Sequence, residues 1–566
     1  MKNLLPVLLI CISSTFTFGQ TSSLDWVKSL GNVNWWCDAT TTDIDGNTYI
    51  TGFFNDTVDF DPGPGVFNLI SNGGSSLFIE KLDANGNFLW AKSIAVDTAP
   101  YTDKTITTDV TGNVYIAGTY DDTVDFDPGL GVFNLISNGS SSIFIEKLDV
   151  SGNFIWAKSI AGEYGSYSHK NLSADASGNV YFTGFYQDTI DIDPGNGVFN
   201  LISNGLHDVF ILKLDIGGNF IWAKSIGGTD DDTSNNISID MYGNVYVTGL
   251  YGDTVDFNPT PVVFNLSSSA QGSPPWSQFY ALSKLDASGN FVWAKFIGDW
   301  GLYSDLGRFI TTDAVGNIFL TGFESVLGIF VYIEKLDANG NILWHKKLAG
   351  EHARGESIAV DSSGNVYLTG KFKNNSAPLD FDPGPGVYTL NSNGGFDVYI
   401  LELDSNGNFI GAKSIGGINA ETGREISLDA SGNLYITGLY SGTVDFDPDS
   451  GITNLTSNNL FNYNLFILKL SQSVLSVDES KIFENISIYP NPNSGVVNLN
   501  LDNLKGVTVK IFSTNGQLIY HQNNINDIVH QIELNKSTGI YIIEVSQPGR
   551  QNETQGGTHL YKLVKL

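Results

Sequence analysis

Residues 24–30 read LDWVKSL, and the same strand recurs six times downstream: FLWAKSI (88–94), FIWAKSI (154–160 and 220–226), FVWAKFI (291–297), ILWHKKL (342–348) and FIGAKSI (409–415). Each later copy ends a module. The first copy precedes every module, and the last module, which stops after NLFILKL (464–470), has none of its own. A missing last strand and a spare first one predict a ring whose two ends share one sheet. An open array gains nothing from that complementarity, whereas closure removes exposed sheet edges.

The modules are set by two turn patterns. D-x-x-G-N begins at Asp43, Asp109, Asp175, Asp240, Asp313, Asp361 and Asp429 (D-x-G-N in the first); L-D-x-x-G-N-[FI] has its Asp at 83, 149, 215, 286, 337 and 404. Asp and Asn bond their own backbone and Gly takes positive φ, as tight connections require. Residues 356–415 show four strands most plainly: ESIAVD, NVYLTGKF, DVYILEL and NFIGAKSI, here strands A to D. Val and Leu alternate with Tyr and Thr in NVYLTG, the period of a strand. Seven A–B–C sets with six internal D strands and one amino-terminal D strand predict an all-β, seven-bladed β-propeller over residues 20–470.

Between strands B and C lies VDFDPGPGVFNLISNGG (58–74), repeated almost verbatim at 124–140 and more loosely downstream. It reads as a hairpin added to the blade. The module of Asp313 runs from TGFESVLG straight to IFVYIEKLD, so the four-stranded core stands without it.

Through D-A-S-G-N-V-Y-F-T-G (175–184) and K-L-D-x-x-G-N-x-x-W-A-K the modules resemble the SBBP family of bacterial β-propeller repeats. The resemblance covers roughly residues 21–470 and implies a fold and no reaction.

After a polar linker (471–483) the repeat stops. ISIYPNPNSGVVNLNL, VTVKIFSTNGQLIY, GIYIIEV and HLYKLVKL read as strands, and residues 484–566 suit a small β-sandwich. This segment resembles the C-terminal sorting domain of the type IX secretion system of Bacteroidetes. The matching residues are Tyr489, Pro490, Asn491, Pro492 and Gly495, then the run from Gly539 through Tyr541, and the terminal K-L-V-K-L with Lys565. The resemblance implies passage across the outer membrane by that machinery, then anchoring at the surface or release.

The chain's 566 residues carry a formal charge of −31, while 484–566 hold six basic and six acidic residues, so the excess acid lies before them. Such a surface repels nucleic acid and anionic membranes and favours cations. Lys2, the apolar run LLPVLLICI and TFTFG before Gln20 read as a signal peptide over residues 1–19. Its removal leaves Cys37 as the single cysteine, and no other stretch is long and apolar enough to span a bilayer.

Antiparallel strands put the A–B and C–D turns on one face of the ring, and the B–C hairpins and D–A connections on the other. The second face is longer and more varied, so ligands are expected there. Three groups of residues point to it. Asp59 and Asp61 alternate onto one side of their strand, as do Asp125 and Asp127, and Asp191 and Asp193. These pairs could hold Ca²⁺; equally, each Asp before Pro shapes its turn. Lys104, Lys170, Arg308 and Arg424, five residues before their turn Asp, with Arg354 nearby, are expected to ring the channel mouth. They could grip an anionic sugar or phosphate, or pair with surplus carboxylates. Trp276 and Trp300 fall in variable connections and could stack on a sugar or peptide, or pack under a loop.

No cofactor is required by any motif. The histidines before the linker, 169, 207, 345 and 352, occupy unrelated blade positions, and no G-x-S-x-G elbow occurs. D-x-x-G-N-F-x-W is spaced one residue wider on each side of its Gly than a sialidase Asp-box. The sequence thus favours a secreted or surface-held module recognising glycan or protein. An extracellular enzyme directed at polysaccharide or phosphoester, and a purely structural scaffold, are the alternatives.

Overall fold

A computed structural model describes residues 21–31, 33–71, 74–96, 104–138, 141–161, 171–260, 262–268, 278–297, 309–324, 330–348, 352–374, 378–457, 463–473, 487–489, 496–501, 504–513, 518–533, 539–547 and 557–565. The chain forms two compact units, Ser22–Gln472 and one carrying the residues from Ser473 onward. In the first, seven antiparallel sheets follow one another, each in the order A-B-C-D. Blades 1 to 6 span 33–94, 105–161, 171–226, 233–296, 309–347 and 353–417. Blade 7 takes strands A to C from Thr422–Leu428, Leu434–Tyr440 and Asn464–Ser473, and its fourth from Thr21–Leu30.

The ring closes as the sequence predicts. Ser471 Oγ donates to Asp25 Oδ2 at 3.0 Å, and Ser29 Oγ lies 2.7 Å from the Tyr440 hydroxyl. Blade 7 in turn meets blade 1: Thr40 and Thr437 hydroxyls are 3.0 Å apart, and those of Thr42 and Ser427 2.7 Å. Each inner strand A touches the inner strands on both sides all the way round.

The D-x-x-G-N turn shows why these residues recur. Asp109 Oδ1 accepts the N–H groups of Thr111 and Asn113, and Asn113 Nδ2 donates to Oδ2 at 2.8 Å. Gly112 sits at φ 78°, a region open to glycine at little cost. The tyrosine two residues after the Asn extends the device to the next blade: Tyr115 donates from its hydroxyl to Asp109 Oδ2 and lies 3.1 Å from Gly178 O.

A second clasp joins the outer strands. Trp90 Nε1 and Lys81 Nζ, directly opposite one another on strands D and C, both donate to Val150 O in the C–D turn of blade 2. Trp156 with Lys147, Trp222 with Lys213, Trp293 with Lys284 and Trp344 with Lys335 repeat it onto Ile216, Ala287, Ala338 and Ser405. At the closure Trp26, from the amino-terminal strand, and Lys469, from near the propeller's last residue, converge on Ala84 O at 3.0 Å each. The blade 6–7 seam differs. Blade 7 has no C–D turn, and blade 6 carries Glu402 for the lysine and Gly411 for the tryptophan.

The hairpins do more than the sequence led us to expect. Val124 and Phe126 of the blade 2 hairpin are buried against Ile94 and Val96 of blade 1, in one cluster with the sheet core. Ile190 and Ile192 pack likewise on Ile160, Val255 and Phe257 on Ile226, and Val444 and Phe446 on Ile415. The hairpin is therefore a wedge between its own blade and the preceding one. Blade 5 passes from Ile318–Glu324 to Phe330–Leu336 without one.

In the second unit Ser487–Tyr489, Val496–Asn500 and Val529–Glu533 form a three-stranded sheet, and four further strands form another. Val497 and Leu499 of the first share a core with Val509, Ile511 and Ile543 of the second, the packing of a small sandwich.

Candidate functional site

The acidic hairpins use their carboxylates first on their own backbone. Asp59 Oδ1 accepts N–H groups from Asp61 and, across the hairpin, from Phe67 at 2.8 Å; Asp61 Oδ1 accepts from Gly63 at 2.7 Å. In blade 2, Asp125 Oδ1 accepts from Asp127 and Phe133, and Asp127 Oδ1 accepts from Gly129 at 2.8 Å. In blade 3, Asp191 Oδ1 accepts from Asp193 and Phe199, and Asp193 Oδ1 accepts from Gly195 at 2.8 Å. The second oxygen of the Asp before Pro lies over the last glycine of its turn. A Cβ on Gly65, Gly131 or Gly197 would stand 2.1, 2.0 or 2.1 Å from Oδ2 of Asp61, Asp127 or Asp193, which explains the glycine at that place.

The pairs expected to hold calcium thus also build their own hairpins. Asp61, Asp127 and Asp193 are bound into their own D-P-G and D-P-x-x-G turns, and Asp59, Asp125 and Asp191 brace the two hairpin strands. An ion taking six to eight oxygens would need backbone carbonyls beside each pair. Among the described residues no three His, Cys, Asp or Glu side chains form a metal-holding group, so Asp59, Asp61, Asp125, Asp127, Asp191 and Asp193 are not gathered into one.

The cationic group divides. Lys104 does not stand at the channel mouth as expected: it is 3% exposed, its Nζ donates to Thr119 O at 3.1 Å and lies 5.1 Å from the Phe53 ring centre. Its stem crosses Gly118, the room that a missing Cβ leaves. Lys170 and Arg308 lie outside the described residues. Arg354 stacks over Phe323 at 4.7 Å. Arg424 sits at a bulge between Gly423 and Glu425, and strand A of blades 4 and 6 is bulged at the same offset from the turn Asp. Bulges re-aim side chains, so one offset in sequence need not be one direction in space.

Arg424, without Arg354, belongs to a polar cluster on the inner strands of blades 6 and 7. Glu356 pairs with Lys371 at 3.9 Å, and Ser357 Oγ donates to Glu425 Oε2 at 3.0 Å. Burial pushes the Glu425 carboxyl up to about 7, against the pull of Ser357 and of Arg424 beside it. Arg424 Nε is buried with no hydrogen-bond partner. Trp276 and Trp300 lie outside the described residues.

Two buried acid pairs escaped the sequence reading. Asp208 and Asp232 flank Gly227–Gly228 in the blade 3–4 seam, and Asp397 and Glu421 flank Gly416–Gly417 in the blade 6–7 seam. A Cβ on Gly227 or Gly416 would stand 2.2 or 2.1 Å from the aspartate Cγ. Burial raises Asp208 to about 6 and the other three to about 7. The legible signal was the joint appearance, in blades 3 and 6, of Asp opening strand C and Gly-Gly ending strand D.

Of the sorting-motif residues, Tyr489 is half-exposed and Tyr541 is buried in the sandwich core; Gly539 and Lys565 lie in strands. Pro490, Asn491, Pro492 and Gly495 are outside the described residues, as are residues 1–19. Among the described residues no helix is long and apolar enough to cross a membrane.

Comparison with known proteins agrees with this division. Residues 487–555 match the family model described as a secretion system C-terminal sorting domain, and residues 221–250 that of a beta-propeller repeat. An uncharacterised WD repeat-containing protein of Acanthamoeba polyphaga mimivirus is 23% identical over 496 residues, 78% of this chain and 33% of that protein. An ulvan lyase of Nonlabens ulvanivorans is 35% identical over 78 residues, 14% of each chain. The chain thus spans 33% and 14% of the lengths of these relatives. Among solved structures, the WD40 domain of Toxoplasma gondii coronin aligns with TM-score 0.36 and 11% identity, covering 80% of this chain and 86% of that one. A protein of unknown function from Dyadobacter fermentans aligns with TM-score 0.35 and 10% identity, covering 65% and 94%. The chain thus carries a β-propeller repeat and a C-terminal sorting domain of the type IX kind, a domain that indicates secretion and attachment at the cell surface or outer membrane.

Proposed function

We propose that the propeller is a surface-displayed recognition module that grips a glycan or protein through its repeated hairpins. The observation that carries this reading is a repeated apolar rim. Val66, Val132, Val198, Val263, Val387 and Ile452 occupy one position in the six hairpins, and every one is at least 65% exposed. Beside the first, Phe67 rests on Phe88 of strand D at 4.8 Å, and four other blades repeat that ring pair. Each hairpin thereby offers one bulky apolar contact to a partner. Identical sites on one ring also suit a repetitive or multivalent partner, for which weak contacts multiply.

The test is a binding screen of surface polysaccharides and proteins with the full chain, with and without calcium. The calcium arm asks whether Asp59, Asp61 and their repeats take the ion as well as shaping their turns. Binding should fall stepwise as Val66→Asp, Val132→Asp and Val198→Asp are combined. A triple variant that binds every captured ligand like the parent protein would overturn the reading.

A further inference from the structure

The blade 6–7 seam breaks the outer clasp at two residues that face each other, Glu402 on strand C (Asp397–Leu403) and Gly411 on strand D (Phe409–Gly417). In the other seams a lysine ammonium fills this place. Lys81 Nζ stands 4.7 Å from the Tyr49 ring centre and 4.0 Å from Asp43 Oδ2, and Lys147 stands 4.7 Å from Tyr115 and 3.7 Å from Asp109. Blade 6 keeps both of those partners as Tyr367 and Asp361, with the Tyr367 hydroxyl 3.3 Å from Asp361 Oδ2. What it exchanges is the cation, for a second carboxylate. Glu402 is 6% exposed, and its Oε1 is buried with no hydrogen-bond partner. Beside Gly411 there is room, since a Cβ there would meet no atom within 4 Å.

A turn carboxylate and an aromatic face placed as in the sister blades, with a second carboxylate where their ammonium stands, make an incomplete cation site. Tyr367 bonds the Glu402 carboxyl but leaves Oε1 buried and unpartnered, which is costly, and the repeat offered lysine as the cheaper residue. Among the described residues, Gln472 near the end of blade 7's strand C reaches Tyr367 with a neutral amide, and Lys413, the cation that acts on Glu402, is paired with Asp449. We propose that this notch binds a primary ammonium group brought from outside the propeller, seated between Glu402 and Asp361 against the Tyr367 ring. Both a peptide lysine and a free alkylamine carry that group. The notch lies at the turn end of the blade, opposite the hairpin rim, and is independent of the rim's role.

Isothermal titration of the full chain at pH 8 with n-butylammonium, with an acetylated Ala-Lys-Ala amide, and with tetramethylammonium tests it. Tetramethylammonium has the charge but no N–H to donate. Butylammonium should bind at least tenfold more tightly than tetramethylammonium, and Glu402→Lys, which carries its own ammonium, should abolish the difference. That variant restores the residue of the sister blades, so it should fold, with a thermal midpoint no lower than the parent's. Tighter binding of the peptide than of butylammonium would assign the notch to a protein partner; the reverse order would assign it to a small amine. Affinity should also drop as pH falls through about 7, because burial raises the Glu402 carboxyl to that value, with Tyr367 and Lys413 lowering and Asp361 raising it. Equal binding of the two ammonium ions, or undiminished butylammonium binding by Glu402→Lys, would overturn the proposal.

Discussion

Glu80 and Glu146, on strand C of blades 1 and 2, are fully buried, and none of their carboxylate oxygens has a hydrogen-bond partner. Leu212, Leu401 and Leu468 fill the same position in blades 3, 6 and 7. Burial, and then the nearby hairpin aspartate, pushes each carboxyl well above the usual range. An unbonded polar group in such a place costs on the order of 1–3 kcal/mol, so Glu80→Leu should raise stability by about that amount in urea denaturation. A loss would mean that the carboxyl has a use the fold does not explain. The same physics fixes a pH trend. Asp208, Asp232, Asp397, Glu402 and Glu421 hold their protons to about 6–7 in the fold, against about 4 unfolded. The folded state binds protons more tightly, so their contribution is full below about pH 4 and drains as pH rises through 7. The urea midpoint should therefore be higher at pH 5 than at pH 8. The turn aspartates oppose this only in acid: Asp109 feels burial upward, but hydrogen bonds from Thr111 and Asn113 outweigh it and hold its pKa low. A higher midpoint at pH 8 would contradict the assignment. None of this was legible in the sequence. Lys104 read as a cation of the channel mouth and Glu80 carried no reading, yet both are buried.

At the scale of the element, the hairpin was legible as an insertion and misjudged as an ornament. V-D-F alternates, so Val124 and Phe126 share a side, but a strand's pattern does not say what covers that side. The answer is its own blade and the preceding one together. Phe126 is fully buried, 5.3 Å from the Tyr120 ring centre and 4.8 Å from that of Phe144 in its own blade, and it shares a core cluster with Ile94 and Val96 of the preceding one. Phe126→Ala should then cost about 3–5 kcal/mol, as at any core aromatic, in chemical denaturation. A cost below about 1 kcal/mol would return the hairpin to the status of an appendage. On the opposite side of the same strand, Asp125 and Asp127, like Asp191 and Asp193, read as paired cation ligands or as turn formers; spacing shows two carboxylates together but not the backbone N–H groups that each Oδ1 also accepts. The D-x-x-G-N turns, by contrast, were readable because their chemistry is local: Asp, Gly and Asn meet their partners within five residues.

The whole molecule was legible because its ends complement each other. The amino-terminal W-x-K-S and the absent last strand specify a ring, and the structure adds that Glu402 and Gly411 mark the one seam with no turn to clasp. Ring closure by residues 21–30 is the central claim. It is tested most directly by placing Asp25→Cys and Ser471→Cys together in a Cys37→Ser background and oxidising the folded protein. These residues are 446 apart in sequence, yet their side chains meet at 3.0 Å. The account predicts an intramolecular disulfide in nearly every molecule and a higher thermal midpoint than in the reduced form, because a loop this long constrains the unfolded chain strongly. Oxidation that gives only free thiols or cross-linked pairs of chains would contradict it.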